Sequence, residues 1–247
     1  MTYLQFHFVF TLPVIVLLAL RRPTQLPIPL KRSYFTYLGW ILILAFSYTT
    51  PWDNYLVYRE IWGYGADRVL FTMGYVPFEE YLFFLLQPIL TGLWMMHMIR
   101  QFPPHPITHP SSVRSGSSSP FFRVVLGTYL TVSILGAWML TFERGTYMGL
   151  ILAWAAPVLA GQWYLGGRAI LRYSKLFAAS CIPPTLWLWI ADAYAIRNGI
   201  WYIVPETTFE VFLWGLPLEE ATFFLVTNLL VVQGLFLFLQ IGSSVDE

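Results

Sequence analysis

Charge is what this chain has least of. Only 11% of its 247 residues are Asp, Glu, Lys or Arg, against about a quarter in a soluble domain. Two lysines occur, Lys31 and Lys175, both at the edges of apolar stretches, so no amine stands mid-membrane for a retinal-type Schiff base. The single Cys181 permits no internal disulfide and leaves the redox compartment open. Neither G-x-G-x-x-G nor a P-loop is present, so nothing points to a flavin, nicotinamide or nucleoside triphosphate. His7 and His97 stand alone in apolar runs, and His105 and His109 lie in a Pro/Ser-rich stretch without companion ligands. No metal site and no cofactor are therefore expected. No basic cluster suits nucleic acid.

What the chain has instead is apolar surface: 57% hydrophobic and 19% aromatic residues. Seven apolar stretches fall near Tyr3–Leu20, Tyr34–Thr50, Tyr75–Met98, Phe121–Phe142, Tyr147–Tyr164, Leu176–Ala191 and Val211–Gln240. Most approach the roughly 17–25 residues a membrane helix needs. Seven is the expected helix count, with six as the alternative because Pro157, Pro183 and Pro184 interrupt two of the stretches. The first stretch lacks a basic start and a small-residue cleavage site, so it reads as a retained helix. The turns after helices one, three and five hold Arg21, Arg22, Lys31, Arg32, Arg100, Arg114, Arg123, Arg168, Arg172 and Lys175. That is ten of the fourteen basic residues, which predicts a cell membrane protein with its N-terminus outside and its C-terminus in the cytoplasm.

The few carboxylates are duplicated. Pro77-Phe78-Glu79-Glu80 returns as Pro217-Leu218-Glu219-Glu220, each ahead of a long apolar run. Trp52-Asp53-Asn54-Tyr55 is matched by Ala191-Asp192-Ala193-Tyr194, and Ile61-Trp62 by Ile200-Trp201 at the same spacing from its Asp. From Asp53 to Glu79 is 26 residues and from Asp192 to Glu219 is 27. The fold class expected is all-α and polytopic: two parallel three-helix repeats, 1–98 and 143–241, joined by a cytoplasmic loop over 99–120 and a connector helix over 121–142, with a tail at 242–247. Matching helices differ by four in order and so run in the same direction. Asp53 and Asp192 are read as closing helices two and six, and the Glu pairs as third- and fourth-position residues behind a first-position Pro. That gathers Asp53, Glu79, Glu80, Asp192, Glu219 and Glu220 in one layer at the outer side.

A charged residue at a membrane helix centre costs roughly 2.5–3.5 kcal/mol on insertion scales. The simpler reading is that Glu in a first turn complements the helix dipole, worth roughly 0.3–1 kcal/mol. Two copies with matched Asp residues favour use over ornament. A carboxyl in apolar surroundings keeps its proton and can deliver it to a poor base. Among membrane substrates the poor base best suited to aromatic walls is an alkene, whose cation each ring face stabilises by roughly 0.5–2 kcal/mol. A proton-coupled carrier is the other class, since small transporters also use a parallel repeat. Asn54, Tyr55, Trp62, Tyr194, Asn198 and Trp201 are the expected substrate-binding residues. Phe83, Phe84, Phe223 and Phe224 are expected to pack or face lipid.

The ordered set of Pro-x-Glu-Glu motifs with Trp52-Asp53-Asn54 and Ala191-Asp192-Ala193-Tyr194 resembles the small membrane lycopene cyclases of bacteria, archaea and fungi, over nearly the whole chain. In some bacteria the two halves are separate subunits; here they look fused. The resemblance implies cyclisation of linear carotene ends to β-rings, redox-neutral and without a cofactor. It makes lycopene the lipophilic partner, places the enzyme in the bilayer, and allows contact with other carotenoid-pathway enzymes and related cyclases or hydratases of longer carotenoids. The catalytic residues implied are the acids Glu79/Glu80 or Glu219/Glu220, with Asp53 and Asp192 as bases or orienting groups.

Overall fold

The computed structural model describes residues 1–23, 28–103 and 120–243. The interior of the Pro/Ser-rich loop, with His105, His109 and Arg114, and the last residues of the tail lie outside the described residues. The chain is a mostly helical, polytopic membrane protein. Its long helices are α1 (Tyr3–Leu20), α2 (Ile28–Tyr58), α3 (Phe78–Gln101), α4 (Pro120–Met139), α5 (Thr146–Arg172), α6 (Ser174–Arg197) and α7 (Leu218–Ser243). Six of them, all but α2, are long and apolar enough to cross a membrane. In α2 the Tyr, Ser, Thr and Trp residues dilute the Leu/Ile run.

Thr2 starts α1 with a capping box: its hydroxyl accepts from Gln5 N at 3.3 Å, and the Gln5 side chain accepts from Thr2 N at 2.9 Å. Pro13, which has no N–H for a bond to Val9, follows a π turn at His7–Thr11. Proline does not break the helices where interruption is expected: Pro157, Pro183 and Pro184 lie inside them, as do Pro51 and Pro88. Beside Pro51 the Thr50 hydroxyl donates to Phe46 O at 2.7 Å and the Asn54 amide to Thr50 O at 2.9 Å. Helix α2 thus runs on to Tyr58, and Asp53 lies within it rather than closing it. Asp192 likewise lies inside α6, whose last residue is Arg197.

Three short two-stranded ribbons depart from the all-helical expectation. Strand β1 (Trp62–Tyr64) pairs antiparallel with β4 (Trp201–Ile203), with Gly63 opposite Tyr202. Strands β2 (Thr72–Met73) and β3 (Val76–Pro77) form one hairpin, and β5 (Phe212–Leu213) and β6 (Leu216–Pro217) another. Residues 75–77 and 211–217, expected in helices, therefore belong to these ribbon loops. Pro77 is the extended cap of α3 (φ −69°, ψ 154°), not its first helical residue, which makes Glu79 and Glu80 second- and third-position residues.

Backbone details recur between the two loops. Ile61 N bonds Leu56 O at 3.1 Å, and Ile200 N bonds Ala195 O at 3.0 Å. Gly65 N reaches Ile200 O at 3.0 Å while Val204 N reaches Ile61 O at 2.9 Å. Phe78 N bonds Phe71 O and Leu218 N bonds Val211 O, at 3.0 and 2.8 Å. Left-handed residues match as well: Glu60 with Gly199 (φ 55° and 60°), and Gly74 with Trp214 (φ 70° and 53°). The single residue of slack is Glu210, itself left-handed at φ 55°.

Burial divides into two clusters. One, rich in aromatics, gathers Tyr3, Phe6, Trp62, Phe83, Tyr147, Trp201 and Phe223 at the ribbon end. The other packs Tyr34, Met95, Ile99, Trp163 and Leu235 at the opposite helix ends. Between them a polar knot ties α3, α6 and α7. Gln87 donates to Asn228 Oδ1 at 2.8 Å, and the Asn228 amide donates to Thr185 at 3.1 Å, the kind of interhelical bond that replaces hydrophobic drive in lipid. Helix α4 packs on α5 through Gly136 and Gly149: a Cβ on Gly136 would sit 2.7 Å from Ala153 N.

Candidate active site

All six carboxyl groups named from the sequence are buried, none more than 4% exposed, so each needs a partner or a purpose. The structure divides them. Glu79 and Glu219 turn back to the loop ahead of their helix: Glu79 Oε1 accepts from Leu70 N at 2.9 Å, and Glu219 Oε1 from Phe209 N at 2.9 Å. These two fasten the ribbon loops. Removing one partner of a buried hydrogen bond costs about 1–3 kcal/mol. Glu79→Ala and Glu219→Ala are each expected to lower stability by about that much, read as a lower thermal unfolding midpoint in detergent; an unchanged midpoint would contradict the fastening role.

Glu80, Glu220 and Asp192 instead line a small chamber with Tyr3, Phe6, Trp62, Phe83, Leu188, Trp201, Phe223 and Phe224. Neighbouring residues on a helix point about 100° apart, so each Glu pair serves loop and chamber at once. Glu80 Oε2 accepts from Tyr3 OH at 2.7 Å and Tyr64 OH at 3.2 Å. Burial, and then the Glu80 charge, push the Tyr64 phenol well above its usual range, so it remains an O–H donor. Glu220 accepts from Tyr147 OH, and the Asp192 carboxyl lies close enough to interact with it electrostatically. Two buried carboxyl groups near each other favour holding one proton between them. Asp192 Oδ1 accepts from Trp201 Nε1 at 2.7 Å, while its Oδ2 has no hydrogen-bond partner among the described residues.

The matching pair in the first half is open. Among the described residues neither oxygen of Asp53 has a hydrogen-bond partner, and neither has Trp62 Nε1. Asp53 is close enough to Glu80 and Glu220 to interact with both electrostatically. Aromatic rings close the chamber: the Trp201 ring centroid lies 4.7 Å from Tyr3 and 5.0 Å from Phe6, and Trp62 lies 6.3 Å from Tyr147.

Other expected site residues lie apart from the chamber. Asn54 holds the first hairpin, accepting from Tyr75 N at 3.0 Å and donating to Tyr81 OH at 3.0 Å. Tyr55 is exposed and accepts from Arg59 at 2.7 Å. Tyr194 is also exposed, packed on Phe10 at 5.0 Å. Asn198 donates to the Tyr194 carbonyl at 2.7 Å. Of the expected substrate-binding set, only Trp62 and Trp201 reach the chamber. His7, a lone residue in the sequence, is buried with Nε2 2.9 Å from Glu79 O, so it helps seat the start of α3.

The phenols were not read from the sequence. A signal existed: Thr2-Tyr3 and Thr146-Tyr147 each open the first helix of their half, and each Tyr bonds the second Glu of that half. Tyr64 has no such partner in the second half, where Ile203 stands at the matching offset.

Proton-holding carboxyls walled by aromatic rings can protonate an alkene and shelter its cation. Among known proteins, the lycopene beta-cyclase of Halobacterium salinarum is 44% identical over 202 residues, 81% of either chain. The bifunctional lycopene cyclase/phytoene synthases of Sporisorium reilianum and Neurospora crassa are each 35% identical over 96% and 93% of this chain, which spans only 35% and 38% of their length. No protein-family model matches the chain, and neither does any solved structure. With both the relatives and the residue set in agreement, the chain belongs to the lycopene beta-cyclase family.

Proposed function

We propose that the protein closes the linear ψ-ends of lycopene into β-rings, giving γ-carotene and then β-carotene, without net redox change. The observation that carries this is the Asp192–Glu220 carboxyl pair held in an aromatic chamber. The pair gives its proton to carbon 2 of the terminal double bond, leaving a cation at carbon 1. The 5,6 double bond attacks carbon 1, forms the ring and moves the cation to carbon 5. Loss of the carbon-6 proton then creates the ring double bond. Glu80, which receives two phenol hydrogen bonds, is the fixed counter-charge beneath the cation. Asp53, whose oxygens receive none, takes the carbon-6 proton and returns it toward Glu220.

The fold that serves this chemistry is, in our reading, two parallel three-helix repeats, α1–α3 and α5–α7, with α4 as connector and α2 as a seventh span. The paired loop hydrogen bonds and matched left-handed residues support it. The excess of Arg and Lys at the opposite helix ends supports a cell-membrane orientation with the N-terminus outside. The fungal relatives, whose names join a lycopene cyclase to a phytoene synthase, support a place beside other carotenoid-pathway enzymes.

Expression in a lycopene-accumulating bacterium tests the activity. Chromatography is expected to show γ- or β-carotene; unchanged lycopene with the protein present in the membrane would contradict it.

A further inference from the structure

The carboxyl chamber has a volume of only about 20 Å³. Room for a six-carbon ring is on the order of 150 Å³, so a cyclising end group does not fit while the chamber keeps this shape. Beside it lies a second, open cleft of about 240 Å³ between α2, α3, α5 and α7. Its walls include Ile41, Pro88, Trp154, Val158 and Leu230, and it contains no carboxylate. The two spaces share two wall residues, Phe83 and Phe223, which stand at matching places in the two Pro-x-Glu-Glu segments. Phe223 stacks on Trp52 with ring centroids 5.6 Å apart, and Trp52 stacks on Trp154 at 4.7 Å, which continues the aromatic wall from the chamber into the cleft. Phe83 meets Phe224 edge-on at 6.0 Å.

We propose that this cleft is the berth of the polyene chain, and that Phe83 and Phe223 form the partition its end group displaces to reach the carboxyls. The proposal rests on the cyclase reading. Apolar lining, an opening on the helix surface and a wall shared with the acids are what a long hydrocarbon with a reactive end requires. Once moved aside, the two rings also cover the end group and keep water from the cation. Water reaching carbon 1 would add its oxygen there and lose a proton to a carboxylate, leaving a hydroxylated, uncyclised end.

Phe83→Ala and Phe223→Ala test the partition. Each is expected to raise the ratio of 1-hydroxylated to cyclised ends at least tenfold over wild type in lycopene-accumulating cells. Where an alanine variant fails to reach the membrane, the milder Phe83→Leu and Phe223→Leu are read instead, with the same direction expected. Val158→Trp tests the berth by filling it, and is expected to cut the lycopene that co-purifies with the protein at least fivefold. Wild-type product ratios in both folded Phe variants would overturn the partition, and undiminished lycopene in Val158→Trp would overturn the berth. A wild-type protein that forms no ring at all would instead overturn the cyclase reading itself.

Discussion

Glu220→Gln is expected to lower ring formation by about 10²–10⁴-fold, the usual worth of a general acid, while leaving the protein folded. Glutamine keeps the shape and still accepts from Tyr147, which bonds Glu220 in the native chamber. It cannot carry an acidic proton to give to the alkene. Pigment chromatography in lycopene-accumulating cells, normalised to membrane protein, reads the loss directly. Wild-type pigment from a well-expressed Glu220→Gln protein would remove this residue from the acid role. Glu219→Gln is the informative neighbour. Its carboxyl lies one residue away but accepts from Phe209 N, a bond the glutamine oxygen can still accept, so its activity should exceed that of Glu220→Gln by at least tenfold.

Asp53→Asn is expected to separate activity from stability. Both oxygens of Asp53 are buried without a hydrogen-bond partner among the described residues, so the isosteric amide gives up no bond. The unfolding midpoint should stay unchanged. The same change removes the group proposed to take the carbon-6 proton, so turnover should fall by about 100-fold or more. A structural residue would show the opposite: lower stability and activity lost only in proportion. The contrast with Asp192 sharpens the test. Asp192→Ala gives up the bond from Trp201 Nε1, leaves that buried donor unpaired, and should lose stability as well as activity.

The duplicated acids were legible because burying a carboxylate in a membrane helix is costly, and repeating the cost marks a use. Which Glu of each pair enters the chamber was not legible. That choice depends on where the helix starts, and Pro77 proved to be a cap in a hairpin rather than the first helical residue. The ribbons themselves were hidden, since Trp62-Gly63-Tyr64 and Trp201-Tyr202-Ile203 are too short to show an alternating pattern. The helices also run past the apolar stretches that end at Thr50 and Ala191, carrying Pro51, Pro183 and Pro184 inside them. The one residue of slack counted between Asp and Glu has a physical location in Glu210, whose side chain meets Arg144 at 3.5 Å on the surface. Tyr3 and Tyr147 each follow a Thr at matching places in the two halves but lie outside the Pro-x-Glu-Glu and Asp motifs.

The central claim is that these carboxyls drive cyclisation by proton transfer, and deuterium follows that proton. The purified protein would be placed in liposomes carrying lycopene, equilibrated in D₂O, and the cyclised product analysed by mass spectrometry and NMR. The account predicts β-rings carrying deuterium at carbon 2, up to one atom per ring. Rings that form with no deuterium at carbon 2 would contradict it.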